Sequence, residues 1–172
     1  MITYFSKTGL HRLEQKIVEQ GQLVVEAGQQ VGEEAGIACD WHDNFGFEEA
    51  RRRLDIESGR LKTLKSLREH AQLAPLPHID SDRVGIGSKV SFHLGEIQKS
   101  LVIGAWAETL PKSGMVAYDS PIAKLVIGMH VGEIRDVNFQ GKDIEIEVIS
   151  VVNDGHEYSQ NLTKLYGLES ND

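Results

Sequence analysis

Two aspartates three residues apart stand in the stretch Cys39-Asp40-Trp41-His42-Asp43-Asn44. Paired carboxylates suit a hard divalent cation: Mg²⁺ takes oxygen ligands in octahedral geometry, usually one or two carboxylates with waters and phosphate oxygens. Hydrolysis of a phosphodiester by two metals needs a second ion that activates water and balances charge. Asp40 and Asp43 alone would hold Mg²⁺ weakly, so they fit a site that another molecule completes. Asn44 adds a neutral group able to orient water or a phosphate oxygen. Plainer readings stand beside these. Asp43 or Asn44 can cap a helix that starts just after them, and for Asn44 capping and chemistry are compatible. Trp41 either meets a partner or packs over a chain reversal. One Cys and one His are too few for a structural zinc site, which normally has four ligands and often paired cysteines. A Cys39–His42 nucleophilic pair is equally weak.

Two long elements must position that stretch. Apolar residues before it fall at Leu10, Leu13, Ile17, Val24, Ala27 and Val31, with Gln20 breaking the alternation of three and four. After it they fall at Phe47, Ala50, Leu54, Leu61, Leu64 and Ala71, interrupted at Glu57 and Arg68. Both are a/d seams with polar residues elsewhere. Neither seam is strong enough alone, and the short link predicts an antiparallel hairpin that buries both. The first helix is expected to start at Ser6 or Thr8 and run to Ala38, a rod of ~45 Å at ~1.5 Å per residue. The second is expected from Asp43 or Asn44 until Pro75 and Pro77 end it. Gly28 and Gly32 are expected to let the partner helix approach closely. Arg51, Arg52 and Arg53, with Arg60, Lys62, Lys65 and Arg68, make the second helix basic. Most of these read as a solvated face pairing with Glu48, Glu49, Glu57 and acids of the first helix. Arg51 and Arg52 lie about two turns from the acidic stretch, and Arg suits phosphate geometry.

Pro75-Leu76-Pro77-His78 reads as a linker. Strands are expected at 89–94, 100–106, 115–118, 134–139 and 144–152, with a turn at 140–143 between the last two. Ser120 to Gly128 reads as a short helix: Ser caps, Pro fills the first turn and Gly stops it. The fold class is therefore α+β, with a helical hairpin (residues 1–76), a small antiparallel sheet with one helix (80–153) and a loosely held tail (154–172).

Composition bounds the function. The chain has 172 residues, a net charge of −8 and a single cysteine. The negative charge disfavours a general duplex-DNA binder, whose affinity rests on neutralising phosphates. The first 74 residues are only slightly acidic, at −2, so a local basic patch remains open. No apolar run reaches the ~18–20 residues that cross a bilayer. The N-terminus has no basic start followed by an apolar run, so no signal peptide is expected. One cysteine fits a reducing cytoplasm. Asn161-Leu162-Thr163 matches a glycosylation acceptor without an export context.

Three stretches together resemble the bacterial Gre transcript-cleavage factors, GreA and GreB. They are 8–13 (Thr-Gly-Leu-His-Arg-Leu), the acidic stretch with the start of the second helix (40–51), and Val116-Ala117-Tyr118-Asp119-Ser120-Pro121-Ile122-Ala123-Lys124 with Gly128. The resemblance implies an antiparallel coiled-coil hairpin followed by a small FKBP-like domain of antiparallel sheet plus helix. It implies a partner of bacterial RNA polymerase, not an enzyme, that enters the secondary channel; a monomer is expected because the hairpin satisfies its own seams. There Asp40 and Asp43, with Asn44, would act in trans on the nascent RNA 3′ end, sharing Mg²⁺ with the polymerase and binding none alone. Trp41, His42, Arg51 and Arg52 would touch RNA or polymerase. Ser120, Pro121 and Ile122 would lie at the docking surface. The chain departs from the family at Asp43, where Glu is usual and one methylene longer, at Trp41 and His42, and at Gly46, where an acid is common. An alternative is thus a channel-occupying regulator that does not stimulate cleavage. Isomerase activity does not follow from an FKBP-like fold, and 6% aromatic content leaves little for a proline pocket.

Overall fold

The structure, a computed structural model, describes residues 2–37 and 45–167. The chain divides into two compact units, Met1–Thr3 with Leu10–Gln72, and Tyr4–Gly9 with Leu73–Asp172.

The first unit is built on α1 (Lys7–Ile37) and α2 (Phe45–Glu69). Their seams meet as the heptads require. Leu13, Ala27 and Ala50 are buried, and Ile17, Val24, Val31, Leu54, Leu61 and Leu64 are half-buried. Cross-helix partners run in opposite directions along the two helices: Glu14 with Arg68, Gln20 with Glu57, Gln30 with Arg53. The pairing is therefore antiparallel. The glycines behave differently from expectation: a Cβ at Gly21, Gly28, Gly32 or Gly59 would have nothing within 4 Å. They mark the outer faces of the helices, not a close crossing.

Two short strands, β1 (Thr3–Phe5) and β2 (Ala71–Leu73), pair where the chain passes between units. Heptad reading does not reveal them, because three residues are too few to show an alternation.

The second unit holds a five-stranded sheet of order β5-β4-β3-β7-β6, from β3 (Lys89–Leu94), β4 (Ile97–Gly104), β5 (Met115–Ala117), β6 (Ile134–Phe139) and β7 (Lys142–Val152). Hairpins join β3 to β4 and β6 to β7. The second turns at Gln140 and Gly141, both with positive φ, as a two-residue turn between right-twisted strands requires. Ile149 has no opposite number on β3, so β7 carries a bulge there. The sheet corrects one expectation: it is mixed, not antiparallel, because β5 runs parallel to β4. A parallel neighbour needs a crossover instead of a tight turn. Residues 105–114 provide it, with Ala107 at positive φ, a 3₁₀ turn at Pro111–Ser113 and a left-handed Gly114.

One face of the sheet buries Val90, Phe92, Ile146 and Val148, and α3 (Pro121–Val126) contributes Ala123 and Val126 to the same core. A second departure follows strand β7. The segment expected to be loosely held forms α4 (His156–Tyr166) and buries Tyr158 and Asn161. Left-handed glycines bound it on both sides, Gly155 before and Gly167 after.

Candidate functional site

In the first unit the polar interruptions of the two seams face each other. The Gln20 side-chain amide donates to the Glu57 carboxylate at 2.6 Å and to its backbone carbonyl at 3.2 Å. Arg60 adds a 2.9 Å ion pair from the next turn of α2. These bonds, the Gln20 one foremost, hold the Glu57 carboxyl below the usual carboxylate range. The third interruption, Arg68, is answered by Glu14 at 2.8 Å. A polar pair inside an apolar seam fixes register, since any shift would set each member against hydrocarbon.

The hairpin register brings both helices to residues 38–44, which join them. Asp40, Trp41, His42, Asp43 and Asn44 lie outside the described residues. Beside them the structure shows one arrangement. A Cβ on Gly46 would meet the Glu34 carboxylate at 2.5 Å. Gly46 thus makes room for an acidic group from the opposite helix, at a position where the resemblance leads one to expect an acid on α2 itself.

The basic face of α2 follows its bland reading for the most part. Arg52 pairs with Glu49 at 3.1 Å, Arg60 with Glu57 and Arg68 with Glu14, while Arg53 donates to Gln30 at 3.2 Å. Arg51, Lys62 and Lys65 are exposed and make no ion pair among the described residues. Arg51 and Arg52 stand about two turns along α2 from Phe45.

In the second unit Ser120, Pro121 and Ile122 come together at the start of α3. The Ser120 hydroxyl accepts from the Ala123 N–H at 3.3 Å, and Pro121 occupies the first turn, where a missing N–H costs nothing. Pro121 is exposed, while Ile122 leans on the core. Just upstream, the Tyr118 hydroxyl accepts from the Tyr4 N–H at 3.2 Å and the two rings meet edge to face.

Sequence reasoning missed Glu108. Its side chain is fully buried in the second unit and accepts four hydrogen bonds. One oxygen takes the Ser6 hydroxyl and the Tyr166 hydroxyl, the latter at 3.2 Å. The other takes the Ala105 N–H at 2.8 Å and the Tyr158 hydroxyl at 2.6 Å. Burial and the adjacent carboxylate push the Tyr158 phenol far above its usual range, so it stays a donor. Ser6 also accepts from the Gly9 N–H at 2.9 Å, which makes it the cap of α1. Gly104 lets the crossover fold back over Glu108, because a Cβ there would meet the Glu108 carbonyl oxygen at 2.5 Å. No local pattern points to Glu108. Its partners come from positions 6, 105, 158 and 166. Among the described residues no three His, Cys, Asp or Glu side chains are grouped to hold a metal ion.

The chain is similar to known proteins of one kind. A model of the GreA/GreB transcription elongation factor C-terminal domain matches residues 79–153. GreA of Lactococcus lactis subsp. cremoris is 30% identical over 114 residues, covering 65% of this chain and 73% of that protein. GreA of Amoebophilus asiaticus is 27% identical over 156 residues, covering 87% and 97%. Among solved structures, the GreA factor homolog Gfh1 of Thermus thermophilus aligns with 88% of this chain and 99% of its own, at 21% identity and a TM-score of 0.41. A helical hairpin followed by a sheet-and-helix unit is thus joined to the sequence of a transcription elongation factor. The chain belongs to the GreA/GreB family. Factors of this family act on RNA polymerase and are not themselves catalysts. Among the described residues no helix is long and apolar enough to cross a membrane.

Proposed function

We propose that this chain binds bacterial RNA polymerase, enters its secondary channel with the α1–α2 hairpin, and stimulates cleavage of backtracked nascent RNA. The observation that supports this most is the register-locked hairpin, whose first helix ends at Ile37 and whose second starts at Phe45, on either side of residues 38–44 in the sequence. Asp40 and Asp43 would serve as the working carboxylates at the polymerase's catalytic centre, and Asn44 would orient water or a phosphate oxygen. Their oxygens are the donor type Mg²⁺ prefers, and two carboxylates are the number it usually takes beside waters and phosphate. Bound there, Mg²⁺ supplies activation of water and charge balance. Trp41, His42, Arg51 and Arg52 would contact RNA or channel walls, Arg51 being the one of the two arginines that makes no ion pair among the described residues. Ser120, exposed Pro121 and Ile122 would contribute to docking. The protein acts as a monomer, since its seams satisfy each other, and in the cytoplasm, where the polymerase is.

The test is 3′-fragment release from a stalled, backtracked elongation complex in Mg²⁺. Addition of the protein should speed it. Asp40→Ala with Asp43→Ala should abolish the stimulation and leave polymerase binding within about twofold, because a few residues of an interface carry most of its binding energy. Equal cleavage by the double variant would refute the mechanism. The short Asp43 side chain and the acid-free Gly46 favour a second reading, a factor that occupies the channel without stimulating cleavage or that inhibits. A shift of about 1 Å at a reacting group can cost on the order of 10²-fold. Inhibited nucleotide addition without shortened transcripts would select that reading.

A further inference from the structure

A groove of about 310 Å³ opens on the second unit. Phe5, Leu73, Leu76, Tyr158 and Leu162 line it, and Lys7 stands at its rim. Leu73 and Leu76 are 57% and 62% exposed, and both line the groove. The walls are held before any partner arrives. The Tyr158 hydroxyl is fastened to Glu108 at 2.6 Å, the Phe5 ring rests on Trp106 with centroids 5.1 Å apart, and the Ala74 N–H donates to the Phe5 carbonyl at 2.8 Å. A ready-made groove spares a partner the ordering cost of shaping it. One side of it is α4, which lies beyond residues 79–153, the part matched to the family.

Its chemistry names what it fits. The walls are apolar, and the volume suits one or two large apolar side chains. The charge at the rim has one sign. Lys7 makes no ion pair among the described residues, and the first turn of α1 holds no acidic residue. Apolar walls beside an uncompensated cation complement a bulky apolar side chain flanked by a carboxylate.

We propose that this groove docks an apolar-acidic segment of RNA polymerase, at a contact separate from residues 40–44 and from the start of α3. The choice of polymerase rests on the function proposed above. The acidic side chain of that segment meets Lys7, and its apolar neighbour sits between Leu73, Leu76 and Leu162. Polar groups at the rim set specificity, while the covered leucines supply most of the affinity.

The test uses the full chain and core polymerase. A photo-crosslinking phenylalanine at position 76 should attach to one polymerase segment in which Leu, Ile or Phe adjoins Asp or Glu. Leu76→Asp and Lys7→Glu should each weaken binding to core polymerase at least about tenfold. Lys7→Arg should bind as the parent does. Both side chains are exposed, so melting temperatures should match the parent's and exclude misfolding as the cause. Parental affinity in Leu76→Asp overturns the inference while leaving polymerase binding intact. A crosslink confined to RNA, to a basic segment or to a second copy of this chain also overturns it. No binding of core polymerase by the parent protein overturns this inference and the proposed function together.

Discussion

Replacing Glu108 by Ala removes an acceptor that four donors share. The Ala105 N–H is fixed by the backbone and cannot turn away, so it is left buried and unpaired, at about 1–3 kcal/mol. The Tyr158 and Ser6 hydroxyls each lose a bond worth about 1 kcal/mol, partly offset by rotation. A cavity the size of the lost side chain adds to this, giving a total of roughly 3–5 kcal/mol. For a chain of this size each kcal/mol moves the melting temperature by about 2–4 °C, so a fall of roughly 6–20 °C is expected. Differential scanning calorimetry of the full chain reads it directly. Glu108→Gln sharpens the test. Its amide keeps one oxygen, which will face Ala105 and Tyr158, while its NH₂ faces hydroxyls that can turn to accept. Its loss should be about half that of the Ala variant. A Glu108→Ala protein melting within about 2 °C of the parent would refute the reasoning, since it would leave a buried N–H unpaired at no cost.

Three further outcomes are expected. Gly104→Ala drives a Cβ into the Glu108 backbone, not into a flexible side-chain end, and should lower the urea midpoint by the equivalent of about 1–3 kcal/mol; an unchanged midpoint would contradict the close approach. Replacing Gln20 and Glu57 together by Leu should raise hairpin stability while loosening register, read as a higher melting temperature with broader distance distributions between spin labels on α1 and α2. A single sharp distribution would show that the pair does not set register. Glu57, Asp82 and Glu133 are held below the usual carboxylate range, chiefly by bonds from Gln20, the His130 ring and the His130 N–H respectively. A lowered folded value stabilises above the unfolded one and is lost as pH falls through the folded one. Stability should therefore decline below about pH 4, and less steeply in Asp82→Asn; equal acid slopes would contradict the Asp82 contribution.

What the sequence disclosed follows the range of the interactions involved. The seams of α1 and α2 were legible because a heptad repeats locally, and β3 and β6 have the expected bounds because each alternates or is cleanly bracketed by turns. Ser120-Pro121 announced its own helix by capping chemistry. Even the breaks at Gln20, Glu57 and Arg68 were visible, although only the structure shows that the first two answer each other and that Glu14 answers the third. The parallel placement of β5 was not legible, since nothing in Met115–Ala117 states a direction. Helix α4 looked like a tail because its anchors, Tyr158 and Leu162, are sparse among polar residues. What holds it is Glu108, fifty residues upstream. For the candidate site, Asp40, Asp43 and Asn44 were named from residue type and spacing alone, and they lie outside the described residues.

The Gln20–Glu57 bond also separates two properties that a probing rod must combine. Alignment of the shafts is set partway along their length, by side chains on both helices. The joining residues can then be exchanged one chemistry for another, carboxylate for amide or aromatic for aliphatic, at constant reach. A lineage built on this hairpin can vary what it presents to a partner without re-solving how far it extends, and grafting foreign loops between Ile37 and Phe45 offers an experimental route to the same freedom.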